Sequence, residues 1–505
     1  MTEENISKLC LDLLYSKHEE SSDENIDSTL SELRKMWSEY GCAAVFGELS
    51  KIWSLPKAIT FFNSIDMGTS NVGKIATIAT HYRRCYNGGI ERVQAQLMNL
   101  WVQMGYKVVL FTEEPENELD YLYPDSVKRI IISSPNDIGE RLTALEQACI
   151  KEQVDLYVNH NWDNSSVLWE CMTLKIHNIP FVQYVHGHFA WNIWVNKNSL
   201  YQPELFKICD LVLSLSETNA RFYQLCGCRS YMVQNPIPED LVNNTEVSKL
   251  NSKHILMVGR LSIEKHPMDV LEIFKNVLTE VDDAVLDIVG GDDYDFFSKI
   301  TSFVEKNNIQ KSVVIHGPKN QSEIAEFYKK SACVVFTSEM EGYPMVILES
   351  KAYGLPLVMY ELPYLSLVKD GKGIVSVKQG DIQAMSTSII KLLKDKEYRM
   401  NLGKQARESF VSFNAYDIAG AWTQIFKLCS ERESVVDNPA YFNPNDIPYA
   451  DKFIEPMLLD KIKKGYDYVV ENNYYYQVGR KMLAFPRAIK HMLSAVKGTL
   501  KYGKK

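Results

Sequence analysis

Four short stretches of this sequence hold residue types that could do chemistry, and each follows a short apolar run. The first is Asn87-Gly88-Gly89-Ile90-Glu91-Arg92, at the start of a helical pattern. Glycines let a ligand approach the backbone, and a helix N-terminus offers free N–H groups and partial positive charge to a phosphate. A structural turn would have the same look. The second is Gly259-Arg260-Leu261-Ser262-Ile263-Glu264-Lys265. A guanidinium beside an ammonium suits a diphosphate and steadies charge on a departing nucleotide, although solvated loop charges share the pattern. The third runs from Glu341-Gly342-Tyr343-Pro344 through Glu349 to Gly354. Pro344 fits the first turn of a helix and Gly354 its stop, which puts Glu349 on the helix and Glu341 in the loop before it. One carboxylate can meet a sugar and the other the hydroxyl pair of a ribose. The fourth is Val185-His186-Gly187-His188, where a histidine can reach a sugar hydroxyl. Two histidines this close, with few other ligand types near, are a poor zinc site.

The elements that must position these residues alternate. Apolar runs at 75–79, 108–111, 156–158, 181–185 and 211–214 read as buried strands, with a helix over 90–104 stopped by Gly105 and further helical stretches between. Asn235-Pro236 and a polar stretch to Ser252 break the rhythm. It restarts with strands at 255–258, 285–289, 313–316, 334–337 and 357–359, a helix over 268–278, and a closing helix over 415–429 that completes the second core. Strands alternating with helices imply an α/β fold with parallel sheets covered on both faces. The expected division is a helical extension over 1–73, two facing Rossmann-like domains over 74–236 and 253–430, and a C-terminal extension over 431–505. Ligands of such sheets sit outside the carboxyl ends of the strands.

Composition narrows the class. The chain has 505 residues, a formal net charge of −9 and an ordinary apolar fraction of 46%. That charge argues against bulk nucleic-acid binding. The ten cysteines are irregularly spaced and read as reduced thiols, Cys226 and Cys228 included. No signal peptide and no apolar run long enough for a membrane span are seen, so the expected location is the cytoplasm.

Taken together, the four stretches resemble the retaining glycosyltransferase family 4, whose fold is the two-Rossmann GT-B type. The glycine pair, Gly259-Arg260-Leu261 with Lys265, and the two glutamates Glu341 and Glu349 stand in that family's order, over roughly residues 74–430. The resemblance implies that Arg260 and Lys265 bind the donor diphosphate. It implies that Glu341 holds hydroxyls of the donor sugar and Glu349 the ribose. His186 would lie beside the sugar, Gly88 and Gly89 near the phosphate, and Gly290-Gly291 under the base. Gly259, Gly342, Tyr343 and Pro344 would line the same donor site. The donor would be a UDP- or GDP-linked sugar and the acceptor a glycan or lipid-linked intermediate, with no cofactor and no metal. Asp293-Tyr294-Asp295 matches a metal-binding Asp-x-Asp, but Arg260 and Lys265 already supply positive charge.

Phe485, Ile489, Met492, Leu493, Val496 and Leu500 fall on one helical face, with Arg487, Lys490, Lys497 and Lys501 on the other. A basic amphipathic helix over 483–505 suits an anionic membrane surface on the inner face, and equally a packed helix with a solvated side. Two alternatives to a glycosyltransferase remain on sequence grounds. One is a non-catalytic partner subunit of the same fold, and the other is an enzyme such as a nucleotide-sugar epimerase.

Overall fold

A computed structural model describes residues 35–36, 38–63, 74–86, 88–132, 137–161, 166–190, 202–292, 294–431 and 454. The chain divides into two compact units, 1–450 and 451–505, and every element named here belongs to the first. Most of the 1–73 extension, Asn87, Asp293 and the basic 483–505 segment lie outside the described residues.

Two helices precede the first sheet, α1 (Cys42–Ile52) and α2 (Leu55–Asn63). The first α/β domain contains β1 (Thr77–His81), α3 (Gly89–Gln103), β2 (Lys107–Thr112), β3 (Lys128–Ile131), α4 (Ile138–Glu152), β4 (Leu156–Asn159) and α5 (Ser166–Ile176). It continues with β5 (Phe181–Val185), α6 (Gln202–Phe206), β6 (Leu211–Ser214), α7 (Glu217–Leu225), β7 (Ser230–Met232) and α8 (Glu239–Val242). The second contains β8 (His254–Val258), α9 (Pro267–Leu278), β9 (Val285–Val289), α10 (Phe296–Lys306), β10 (Val313–Gly317), α11 (Gln321–Lys330) and β11 (Cys333–Phe336). After these come α12 (Met345–Ala352), β12 (Leu357–Tyr360), β13 (Ile374–Val377), α13 (Ile382–Lys394), α14 (Lys396–Asn414) and α15 (Ile418–Glu431).

Both sheets are wholly parallel and share one topology. The order is β3-β2-β1-β4-β5-β6-β7 in the first and β10-β9-β8-β11-β12-β13 in the second. In each, the chain winds outward one way from the first strand and then the other way. The reversal leaves a crevice at the carboxyl ends of β1 and β4, and another at β8 and β11, where ligands of such sheets bind. Central strands are buried on both faces, as β1, β4, β5, β6, β11 and β12 show throughout their lengths. The second core gathers Leu256-flanking Ile255 and Met257 with Leu271, Phe274, Ile288 and Ile389.

Three differences from the sequence reading have physical causes. The first strand begins two residues later than expected and extends through Thr80 and His81, whose buried polar side chains disguise it. Pro344 is the extended residue before α12 and not a residue of its first turn. The expected helix over 415–429 is broken before Ile418, where the Asp417 carboxylate accepts the Gly420 N–H at 2.8 Å. It does not merely complete the second core. It packs on the first domain, with Trp422 4.8 Å from Trp101 and Phe426 4.8 Å from Tyr106, ring centre to ring centre.

The described part of the extension docks on the first domain. Gly47 of α1 meets Gly139 of α4 so closely that a Cβ on Gly47 would lie 2.6 Å from the Gly139 Cα. Phe46, Phe62 and Trp169 then form one aromatic cluster, with ring centres 5.9 to 6.0 Å apart.

Candidate active site

Gly259 and Arg260 leave β8, and the stretch carrying Glu341 leaves β11, so both flank the crevice of the second sheet. A short 3-10 turn at Ile263–Lys265 bends the first of these loops back. Thr337 Oγ1 donates to the Lys265 carbonyl at 2.7 Å, and the Glu339 N–H donates to the Glu264 carbonyl at 2.8 Å. These bonds stitch the two loops together and bring the Lys265 ammonium into an ion pair with Glu341. The Glu341 backbone N–H donates to Tyr364 Oη at 2.9 Å, which fixes the loop from the other side. Arg260 is exposed at the rim.

Gly290 lies where the β8 loop passes over the end of β9. A Cβ there would come 1.8 Å from the Gly259 carbonyl oxygen, and its φ of 152° is one that side chains rarely adopt. Leu261 N–H donates to the Gly291 carbonyl at 2.7 Å, so Gly259, Gly290 and Gly291 form one turn cluster beneath Arg260. Asp292 is spent on structure: its carboxylate accepts backbone N–H groups of Tyr294, Phe296 and Phe297 at the start of α10. Asp295 sits at that helix's N-cap, and Asp293 is outside the described residues.

Glu349 lies on α12, as the sequence implies, and its side chain is buried. Tyr328 donates to its Oε2 at 2.7 Å, and Arg92 of α3 donates to its Oε1 at 3.0 Å. Arg92 also reaches Asp240 at 3.3 Å. The Arg92–Glu349 pair spans the two domains one helical turn from Gly88 and Gly89. Gly88 is the extended N-cap of α3, and no atom lies within 4 Å of the position a Cβ would take on Gly89. At Gly88, by contrast, a Cβ would lie 2.0 Å from Oε2 of Glu91, so the Glu91 carboxylate covers that end of the helix. Arg92 stands in the motif, but the sequence assigns it no role.

His186 follows β5 and meets the second domain through its backbone. A Cβ on Gly342 would lie 2.0 Å from the His186 carbonyl oxygen. Asn219 holds this turn, donating to the Gly187 carbonyl at 2.9 Å and accepting the Phe189 N–H at 3.1 Å. The His188 ring packs 4.4 Å from Tyr364, which itself holds Glu341. The His186 ring lies 4.4 Å from Tyr184 and 5.0 Å from His160. Burial drives its imidazole down to about 3, so it is neutral near pH 7. Tyr343 Oη and Ser338 Oγ are buried beside the Glu341 loop with no hydrogen-bond partner among the described residues. Buried polar atoms of this kind call for a ligand or water. Sequence reasoning missed His160, Tyr328, Ser338 and Tyr364, since single polar residues after apolar runs give no periodic signal.

Away from the cleft, Cys42, Glu146 and His177 bring together the one group of three metal-ligating types found among the described residues. They already bond to one another, with His177 Nε2 2.6 Å from Glu146 Oε1 and 3.5 Å from Cys42 Sγ. The nine cysteines among the described residues are free thiols, eight of them buried. No helix among the described residues is long and apolar enough to cross a membrane.

Comparison with known proteins converges on one family. Residues 87–241 match Glycosyltransferase Family 4, and residues 242–409 match Glycosyl transferases group 1. An uncharacterized glycosyltransferase of Haemophilus influenzae is 22% identical over 348 residues, 67% of this chain and 96% of that one. The poly(glycerol-phosphate) alpha-glucosyltransferase of Bacillus subtilis is 27% identical over 205 residues, 39% of this chain and 30% of that one. The fold is similar to that of Anabaena HepE, solved in complex with UDP and glucose, with a TM-score of 0.56 at 14% identity over 70% of this chain and 100% of that one. With two parallel-sheet domains whose crevices carry the family's motifs, the chain belongs to the family 4 glycosyltransferases of the GT-B fold.

Proposed function

We propose that this enzyme is a retaining glycosyltransferase that takes a sugar from a nucleoside diphosphate, with a glycan or lipid-linked intermediate of a surface polysaccharide as acceptor. The observation that carries the reading is the junction of Lys265 and Glu341 at the crevice of the second sheet, against which the His186 turn is packed. An ammonium and a carboxylate side by side match a sugar phosphate, whose anionic oxygens and hydroxyls are also neighbours. Lys265 and Arg260 stabilise the charge that builds on the departing diphosphate, with the backbone N–H groups at Gly88 and Gly89 contributing on the opposite wall. Their charge makes a divalent metal unnecessary for that step. Glu341 orients the sugar hydroxyls. Glu349 accepts from Arg92 and Tyr328 and keeps lone pairs for a ribose diol, since a carboxylate accepts about four hydrogen bonds.

The acceptor approaches from the first domain. Burial drives the His186 imidazole down to about 3, so it holds an added proton too weakly to serve as the base, and an oxygen of the leaving phosphate takes the acceptor proton on the face that the nucleotide leaves. This is same-face transfer, with retention at the anomeric carbon. The UDP and glucose bound by HepE, and the glucosyl transfer to poly(glycerol phosphate) named for the Bacillus relative, support a UDP-hexose donor and a surface-glycan acceptor.

The test is release of nucleoside diphosphate from a panel of UDP- and GDP-linked sugars, with and without glycan acceptors. Lys265→Ala should lower the rate by about 100- to 1000-fold, the range seen when one donor to a developing anion is lost. Its melting temperature should stay close to wild type, because Lys265 is partly exposed. Equal rates in the two proteins, or no release from any donor, would refute the reading.

A further inference from the structure

Behind His186 lies a line of hydrogen bonds that reaches three other elements. His186 Nε2 is 2.8 Å from Nδ1 of His160, the residue after β4. His160 Nε2 is 3.0 Å from Thr80 Oγ1 on β1. Thr80 Oγ1 in turn accepts from Gln94 Nε2 on α3 at 3.1 Å. Thr80, Gln94 and His160 are each 0% exposed. None of them can reach a substrate, and none has water to exchange with.

Burial keeps both imidazoles neutral: His160 lies well below the ordinary histidine range, with the neighbouring His186 and His81 lowering it further. Two neutral imidazoles joined nitrogen to nitrogen share a single N–H, and the rest of the line decides which ring owns it. Gln94 starts the line. Its amide NH2 donates to Thr80, and its Oε1 is the buried atom left without a partner. The reversed amide would bury the NH2 group without an acceptor, and orphaned buried N–H groups are rarer than under-satisfied carbonyls. With its oxygen accepting from Gln94, the Thr80 hydroxyl turns its proton to His160 Nε2. His160 then holds its own proton on Nδ1 and donates it to His186 Nε2.

We infer that His160, held by Thr80 and Gln94, is a positioning residue that locks His186 in the Nδ1–H tautomer, so that His186 acts as a hydrogen-bond donor and not as a base. The lock gives the proposed same-face reaction a fixed donor beside the transferred sugar, and it withholds the basic nitrogen that a misplaced water would need. The inference rests on the glycosyl-transfer reading for its purpose, but not for its geometry.

Two measurements test it. Nitrogen-15 NMR of the full-length protein labelled at histidine reads the tautomer directly, with or without activity, so a failure of the transfer assay leaves this arm intact. Wild type should show His186 protonated at Nδ1, and Thr80→Val, which removes only the relaying hydroxyl, should show a mixture of tautomers. The second measurement is steady-state kinetics. His160→Leu should lower kcat by about 10-fold, the worth of one well-placed hydrogen bond to the transferred sugar, with KM for the donor little changed. His160→Asn restores an N–H near the position of Nδ1 and should recover much of that loss. A His186 proton on Nε2 in wild type would overturn the inference, as would a His160→Leu enzyme that works at the wild-type rate or an Asn variant no better than Leu.

Discussion

At Gly342 the two domains touch with no side chain between them. A methyl group there would lie 2.0 Å from the His186 carbonyl oxygen and 3.0 Å from its carbon, both backbone atoms with nowhere to go. The strain is wholly in the contact, because each domain folds around its own sheet. Gly342→Ala should therefore leave both domains folded while forcing the Glu341 loop and the His186 turn apart by about 1 Å, a misplacement that can cost about 100-fold in rate. Turnover measured beside far-ultraviolet circular dichroism checks this. A variant that transfers sugar at the wild-type rate would show that the contact does not set the reacting geometry. At this scale the sequence is informative where a motif constrains spacing, as with Lys265, Glu341 and Glu349. It is silent on Gly342 as a domain contact, because the atom it must avoid belongs to residue 186, a neighbour made only by folding.

The elements divide in the same way. Central strands such as β5, β6 and β9 are legible because burial on both faces demands mostly apolar runs, and their observed bounds equal the expected ones. Edge strands have no such demand: β3 is Lys-Arg-Ile-Ile with its first and last residues exposed, β7 has three residues, and β13 is only partly buried, so none of them stands out in the sequence. Strand β9 carries a further feature that periodicity cannot show. Asp287, in its middle, is 1% exposed and accepts from His254 at 2.6 Å, His316 at 2.7 Å and Lys330 at 3.0 Å. Burial pushes this carboxyl up, but the three partners outweigh that and hold it below the ordinary carboxylate value. A folded-state value below the unfolded one contributes stability that is fully present above the unfolded carboxylate value of about 3.9 and is lost as pH falls through the folded one. Wild-type melting temperature should thus drop on acidification below roughly pH 4. Asp287→Asn should be less stable at neutral pH and should lose part of that acid dependence. Melting curves across the acid range check both, and parallel curves for the two proteins would remove Asp287 from the account.

Over the whole molecule, α15 makes the connection that sequence order hides. The chain runs through both domains and then returns to the first, where Trp422, 0% exposed, sits edge-on against Trp101, and Arg229 donates to the Leu428 carbonyl at 3.3 Å. Trp101 is on α3, the helix that begins at the glycine pair and carries Arg92, so one helix links the closing segment to the cleft. The return helix holds the domains together behind the cleft, and within it they meet at the Arg92–Glu349 pair, the Gly342–His186 contact and the His188–Tyr364 rings. Trp422→Ala removes a fully buried ring and should cost about 3 to 5 kcal/mol. Because the lost contact joins the domains and belongs to neither sheet's own core, the loss should fall on their association. Calorimetry should then show the unfolding transition of wild type broaden or divide in the variant. A single transition that merely moves to lower temperature with unchanged width would mean that the two sheets melt as one body and that α15 is part of a common core.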